Sequence, residues 1–200
     1  GGVGKVTAEW IMTGHINEDI FIYDIKRFQK FHSQLEFIKE RITETLGDLY
    51  GMHWPFKQHK TSREQKLTPY YEEMKKAGAC FGVSGGYERP MWYAIKEQKP
   101  EYQYSYNHQN WYPAVEYETK NTRENVGLFD LTAFSKYDLK GKNVHLELQK
   151  LCTADIKNEI GKTTYTQMLN HDGGIETDLT VVCFSKDHFR IITSAANRER

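Results

Sequence analysis

The sequence of 200 residues has no surplus of either charge: 27 Lys and Arg stand against 27 Asp and Glu. Without excess positive charge to neutralise phosphates, nucleic acid is not an expected partner. Long hydrophobic runs are missing as well. The longest, such as residues 179–184, is broken by Thr180, whereas a bilayer span needs about 20 apolar residues, so no membrane partner is expected. Cysteine is scarce, with only Cys80, Cys152 and Cys183, odd in number and widely spaced. That argues against a disulfide framework and fits a reducing compartment. Asn-x-Ser/Thr acceptor sites are absent, which agrees. There is no Cys-x-x-Cys and no Gly-x-Ser-x-Gly, and the eight histidines show no zinc-site spacing, with His53 and His59 six apart. Spacing therefore supports neither a metal centre nor a serine nucleophile.

What the chain does contain is aromatic area. Hydrophobic residues make up only 38%, but ten Phe, four Trp and 13 Tyr can still build a sizeable core. The length suggests one domain or one and a half. A short helix is expected over 6–12, closing near Gly14, and a β-like run over 20–23. A long helix is expected over 27–50, because Phe28, Phe31, Leu35, Ile38, Ile42, Leu46 and Leu49 step by three or four along one face. Residues 51–67 read as a polar connector. Thr68 suits an N-cap with Pro69 behind it, Glu72 and Glu73 in the first turn, and Lys75 and Lys76 before Gly78. A strand over 80–83 leads to the turn Ser84-Gly85-Gly86. The aromatic stretch 100–117 reads as irregular. Strand 136–139, turn 140–143 and helix 144–151 follow, and the runs 179–184 and 189–193 flank a hairpin turn at 185–188. The mixture is α+β without repeats. The chain opens on Gly1 without Met or a targeting segment and stops just after an apolar run, as expected of an internal piece of a longer protein.

Two stretches invite chemistry. Gly1-Gly2-Val3-Gly4-Lys5 falls short of a P-loop, because Lys5 is followed by Val6, Thr7 comes one position late and no strand precedes. It can also be a glycine turn that offers the first N–H groups of a helix to a negatively charged ligand, or a tight turn with no ligand. Further on, Gly173-Gly174 is followed by Glu176, Thr177 and Asp178, then by the apolar run from Leu179. A carboxylate at the first residue of such a run can point into a cavity at the sheet's end, bind a ligand's N–H groups or act as a base. It can also merely cap or terminate the strand, and on residue types alone that plain reading is the stronger.

Taken in order, several segments resemble one known family. Residues 1–5 with Ala8-Glu9-Trp10-Ile11, then Gly14, Asp24 and Arg27-Phe28, resemble the end of the flavin domain of dimethylglycine and sarcosine dehydrogenases. Gly85-Gly86-Tyr87-Glu88-Arg89-Pro90-Met91-Trp92-Tyr93 resembles the segment that follows there. Gly127-Leu128-Phe129-Asp130-Leu131-Thr132 and residues 173–181 resemble the folate-binding domain those enzymes share with the aminomethyltransferase (T-protein) of the glycine cleavage system. The order and spacing cover nearly the whole chain.

The resemblance implies an FAD domain that oxidises an N-methylated glycine and a second domain where tetrahydrofolate captures the one-carbon unit. Residues 1–24 would be the end of the oxidoreductase domain, 25–67 a small linking domain, and 68–200 the N-terminal part of the folate-binding domain. The rest of the same polypeptide would then be the main partner, with an electron-transfer flavoprotein or oxygen as acceptor, in bacterial cytoplasm or mitochondrial matrix. By the family's pattern, Gly2, Gly4 and Lys5 would approach the flavin, where helix N–H donors would stabilise the charge of the reduced ring. Asp178 matches the folate carboxylate, the catalytic position, and the resemblance reverses the plain reading of it. Phe134 and Tyr165 match pocket positions that are aliphatic or Met in T-protein, where aromatic rings would stack on the pterin. Asp130 reads as a structural cap. Thr177 stands where T-protein has the first Asp of an Asp-Asp pair, as in the dehydrogenases. The alternatives are a stand-alone folate aminomethyltransferase and a non-catalytic relative of the same domain order, like the regulatory subunit of pyruvate dehydrogenase phosphatase.

Overall fold

The computed structural model describes residues 1–16, 18, 20 and 23–199. Helix α1 (Gly2–Thr13) ends where Gly14 turns left-handed, at φ 78°, and donates to the Trp10 carbonyl at 2.8 Å. The β-like run expected at 20–23 falls on Phe21 and Ile22, outside the described residues. The helix expected over 27–50 is shorter at its start. Residues Ile25–Arg27 and Lys30–Ser33 form two short 3-10 turns, and α2 spans Leu35–Tyr50. The interruption is polar: Gln29 and His32 bond reciprocally as a capping box, and Gln34 is extended at ψ 134°.

Helix α2 is turned the unexpected way round. Its apolar stripe, Leu35, Ile38, Ile42, Leu46 and Leu49, is exposed, while Phe37 on another face is buried. The side that holds Arg41 and Glu44 binds the connector: Arg41 donates to Thr61, and Glu44 accepts from the N–H groups of Lys60 and Thr61 and from the Thr61 hydroxyl. The connector is thus an ordered strap without regular structure.

Helix α3 (Tyr71–Lys76) begins two residues later than its sequence signals suggest. Thr68 contributes its carbonyl, which accepts from Tyr71 N–H at 3.1 Å, while its hydroxyl is buried and makes no cap. Strands β1 (Ala79–Ser84) and β2 (Tyr87–Tyr93) form an antiparallel hairpin across Gly85 and Gly86, both at positive φ as such a tight turn requires. Helix α4 (Tyr112–Glu124) replaces part of the stretch expected to be irregular. Its sequence is polar and only Ala114 is buried, so no apolar period announces it; Pro113 in the first turn is the available signal. Residues 127–129 are irregular.

The second unit is a four-stranded antiparallel sheet, in order β3 (Ser135–Lys140), β6 (His188–Thr193), β5 (Ile175–Ser185), β4 (Thr163–Leu169). Helix α5 (Val144–Leu151) covers one face. Val144 and Leu148 pack with Ile156 on Leu179, Val181, Cys183 and Phe189. Alternation along β5 sends Leu179, Val181 and Cys183 into this core and Asp178 to the opposite face. Strand β4 was not anticipated, because Thr163-Thr164-Tyr165-Thr166-Gln167 carries its one deeply buried residue, Thr166, in polar disguise.

Candidate functional site

The β4–β5 connection aims the open face. Asn170 Oδ1 accepts from the N–H groups of Asp172 at 3.0 Å and Gly174 at 2.7 Å, and Gly173 takes φ 81°, which reverses the chain tightly. Register then sets Asp178 opposite Gln167 and Tyr165 opposite Thr180. Tyr165 and Asp178 are diagonal neighbours on one face, and the Tyr165 hydroxyl donates to Asp178 Oδ2 at 3.1 Å. Two of the residues singled out in the sequence are therefore in contact. Asp178 lies four residues into β5, not at its start, and is exposed. The cavity expected around it is not closed by the described residues.

Phe134 is half-buried just before β3, with its N–H on the Leu131 carbonyl at 3.2 Å. Ser135, Thr193, Leu179 and Thr166 form one row across the sheet. Phe134 and Asp178 each precede a member of that row, so they occupy the same end of the sheet, two strands apart.

Gly2, Gly4 and Lys5 are arranged differently from the expected glycine turn. The helix already starts at Gly2, and the Gly4 and Lys5 N–H groups are spent on the Gly1 carbonyl at 3.1 and 3.4 Å. The left-handed glycine of this region is Gly14, at the other end. Lys5 Nζ lies 3.2 Å from Glu9 and 3.5 Å from Glu18, and the hydrogen bond it donates to Glu9 is the first reason its pKa is raised.

A cavity of about 590 Å³ is lined by Tyr70, Met74, Tyr93, Phe129, Asp130 and Leu131 among others. Asp178, Tyr165 and Phe134 are not part of it. Asp130 Oδ1 caps its own turn, accepting from Thr132 N–H at 2.9 Å and Thr132 Oγ1 at 2.6 Å. Burial would raise its carboxyl, yet Thr132, Thr68 and Arg89 hold it below the ordinary value.

Spacing gave no metal signal, but folding brings one ligand-type atom each of Glu44, Asp48 and His59 within 4.8 Å of one another. The chain's own donors already occupy this cluster. Lys57 is paired with Asp48, Arg41 Nε lies 3.8 Å from Glu44, and both Glu44 oxygens accept hydrogen bonds. Burial first, then Arg41, lowers the pKa of His59. The arrangement serves as a strap between α2 and the connector.

Known proteins place this architecture. Residues 13–68 match the family described as FAD dependent oxidoreductase central domain, and residues 70–200 match GCVT N-terminal domain. The chain belongs to the GCVT N-terminal domain family, with the oxidoreductase central domain in front of it. All of this chain aligns at 38% identity with 24% of a 4-methylaminobutanoate oxidase (formaldehyde-forming) from Paenarthrobacter nicotinovorans. At 29% identity, 96% of it aligns with 23% of the mouse mitochondrial pyruvate dehydrogenase phosphatase regulatory subunit. Also at 29%, 94% aligns with 23% of human mitochondrial sarcosine dehydrogenase. The crystal structure of the glycine cleavage system aminomethyltransferase T from Bartonella henselae superposes with TM-score 0.54 at 27% identity, over 67% of this chain and 32% of that one. The chain spans about a quarter of the length of the curated relatives it matches. None of the described helices is long and apolar enough to cross a membrane.

Proposed function

We propose that the chain is part of a flavoprotein that oxidatively demethylates an N-methylated glycine and passes the one-carbon unit to tetrahydrofolate, in bacterial cytoplasm or mitochondrial matrix. In this reading residues 1–24 end the FAD domain, 25–67 link, and 68–200 begin the folate domain. When bound, FAD supplies the amine's oxidation and tetrahydrofolate supplies the nitrogens that capture the carbon. The observation that carries the reading is the Tyr165–Asp178 pair on the open sheet face. Tyr165 occupies Asp178 Oδ2, and among the described residues Oδ1 accepts no hydrogen bond, so it is available to a pterin N–H.

Asp178 would orient the folate and take the proton its nitrogen loses on attack, a role of general-base type. Tyr165 would fix the carboxylate and, with Phe134, offer aromatic faces for stacking. The N-terminal end of α1, at Gly2, suits the negative charge of a reduced flavin edge, with the Gly4 N–H spent on the Gly1 carbonyl and Lys5 at the outer surface. The residues present fit both groups in chemical type.

In the whole polypeptide, Asp178→Ala is expected to leave flavin reduction by substrate nearly intact and to lower methylenetetrahydrofolate yield about 100-fold, with free formaldehyde appearing in its place. Equal loss of both activities would overturn the assignment. A binding-only relative would bind folate and form no methylenetetrahydrofolate with any N-methylated glycine.

A further inference from the structure

The β5–β6 ladder ends at the pair Leu179 and Thr193, so Asp178 lies one residue beyond it. Side chains take over at this point. The Asp178 carbonyl accepts from Thr193 Oγ1 at 2.8 Å and from Thr177 Oγ1 at 3.0 Å. Each hydroxyl has a single proton to give. Asn197 binds both hydroxyls: its Nδ2 donates to Thr177 Oγ1 at 2.6 Å and to Thr193 Oγ1 at 3.0 Å. An amide nitrogen has two hydrogens and accepts nothing. The two hydroxyls also lie 3.0 Å from each other; with both oxygens receiving from Asn197, each keeps its proton to give, and the Asp178 carbonyl is within reach of both.

Asn197 is itself held. It sits in the short helical turn Ala195–Glu199, where the carbonyls of Asn197 and Arg198 lie 3.4 and 3.2 Å from the Tyr137 hydroxyl. Arg198 donates to the Tyr87 hydroxyl and lies over that ring at 5.3 Å. The turn is thereby tied to β3 on one side and to the β1–β2 hairpin on the other.

We infer that Asn197 is a positioning residue for the one-carbon transfer: through Thr177 and Thr193 it fixes the backbone of Asp178 and so aims the carboxylate that Tyr165 contacts. This rests on the proposed role of Asp178. Asp178 is paired with Gln167 of β4 on one side only; a base held on one side loses orientation unless the other side is pinned as well, and misplacement by about 1 Å can cost 100-fold in rate.

The test uses the whole polypeptide. Asn197→Asp keeps the shape but only accepts, so it draws the two hydroxyl protons away from the Asp178 carbonyl. The expected result is a roughly tenfold fall in kcat for one-carbon transfer with KM for tetrahydrofolate within twofold, and a matching rise in released formaldehyde. In a Thr177→Val/Thr193→Val background the same change is expected to add less than twofold, because its relay is gone. Multiplying effects there would overturn the inference. Should Asn197→Asp fail to fold, Thr193→Ser against Thr193→Val decides: the first keeps the hydroxyl and the parent's yield, the second loses yield, and equal yields would overturn the inference. If Asp178→Ala leaves transfer intact, the functional reading itself falls. If Asp178→Ala uncouples transfer and Asn197→Asp does not, only the assignment of Asn197 falls.

Discussion

At the scale of single residues, the most consequential group outside the site is Glu88. It is 2% exposed and accepts from Arg63 Nε at 2.7 Å, from Arg63 Nη2 and from Glu64 N–H at 2.8 Å. Arg63 belongs to the connector and Glu88 to β2, so this pair fastens the linking segment to the domain behind it. Removing one member strands a buried charge, which typically costs 3–5 kcal/mol. Arg63→Ala is therefore expected to lower stability by about 4 kcal/mol in urea unfolding. Arg63→Lys should recover only part of it, because an ammonium cannot make the bidentate contact. Tyr165 is the contrasting case. It is 62% exposed, so Tyr165→Phe is expected to leave the melting temperature unchanged within error. In the whole polypeptide it should reduce one-carbon transfer about fivefold, the loss of roughly 1 kcal/mol of hydrogen bond.

At the scale of elements, α2 separates periodicity from burial. Its apolar spacing is plain in the sequence, yet Ile42 is 49% and Leu46 55% exposed while Phe37 is 8% exposed. Phe37 packs edge-on against Phe31 at 5.3 Å and His32 at 5.1 Å. Phe37→Ala is expected to cost about 3 kcal/mol, whereas Ile42→Lys should change the thermal midpoint of this chain very little. A drop for Ile42→Lys as large as for Phe37→Ala would mean the stripe is covered. The β1–β2 turn makes a second element-scale case. Gly85 sits at φ 58°, and a Cβ there would meet the Ala195 Cβ at 2.7 Å. Gly85→Ala is expected to destabilise by about 2 kcal/mol, and through Ala195 to disturb the turn that carries Asn197.

At the scale of the whole molecule, acid should loosen the chain through the strap. Burial by itself would raise the Glu44 carboxyl, but the Thr61 hydroxyl, the Thr61 and Lys60 N–H groups and His59 bring it down to about 2. In the unfolded chain it titrates at its ordinary 4.5. A folded value below the unfolded one means that this stability is complete above 4.5 and is lost as pH falls toward 2. Urea midpoints measured from pH 6 down to 3 should fall in that window, and Glu44→Gln should flatten the slope.

Local signals made much of this architecture readable. Gly85-Gly86 after the strand at 80–83 announced a turn, though not the strand β2 beyond it; the strand-turn-helix at 136–151 was legible, and so was the hairpin around 185–188. Elements whose burial is polar or sparse were not: α4 buries only Ala114, and β4 hides behind threonines. Asp178 could be singled out because its motif is contiguous, and Tyr165 through the family's pattern. Their contact depends on pairing across β4 and β5, which no local rule supplies.

The sequence alone determined the periods, the turns and the contiguous motif that carries Asp178, since these follow from neighbours within a few positions along the chain. Which face of α2 is covered, where β6 stops, and that Asn197 comes to rest against Thr177 and Thr193 were decided only by tertiary structure. Those outcomes depend on groups 20 residues apart, such as Arg41 with Thr61 and Asn197 with Thr177, and on others farther apart still, such as Tyr137 with Arg198, meeting at hydrogen-bond distance, and chain order places no such constraint.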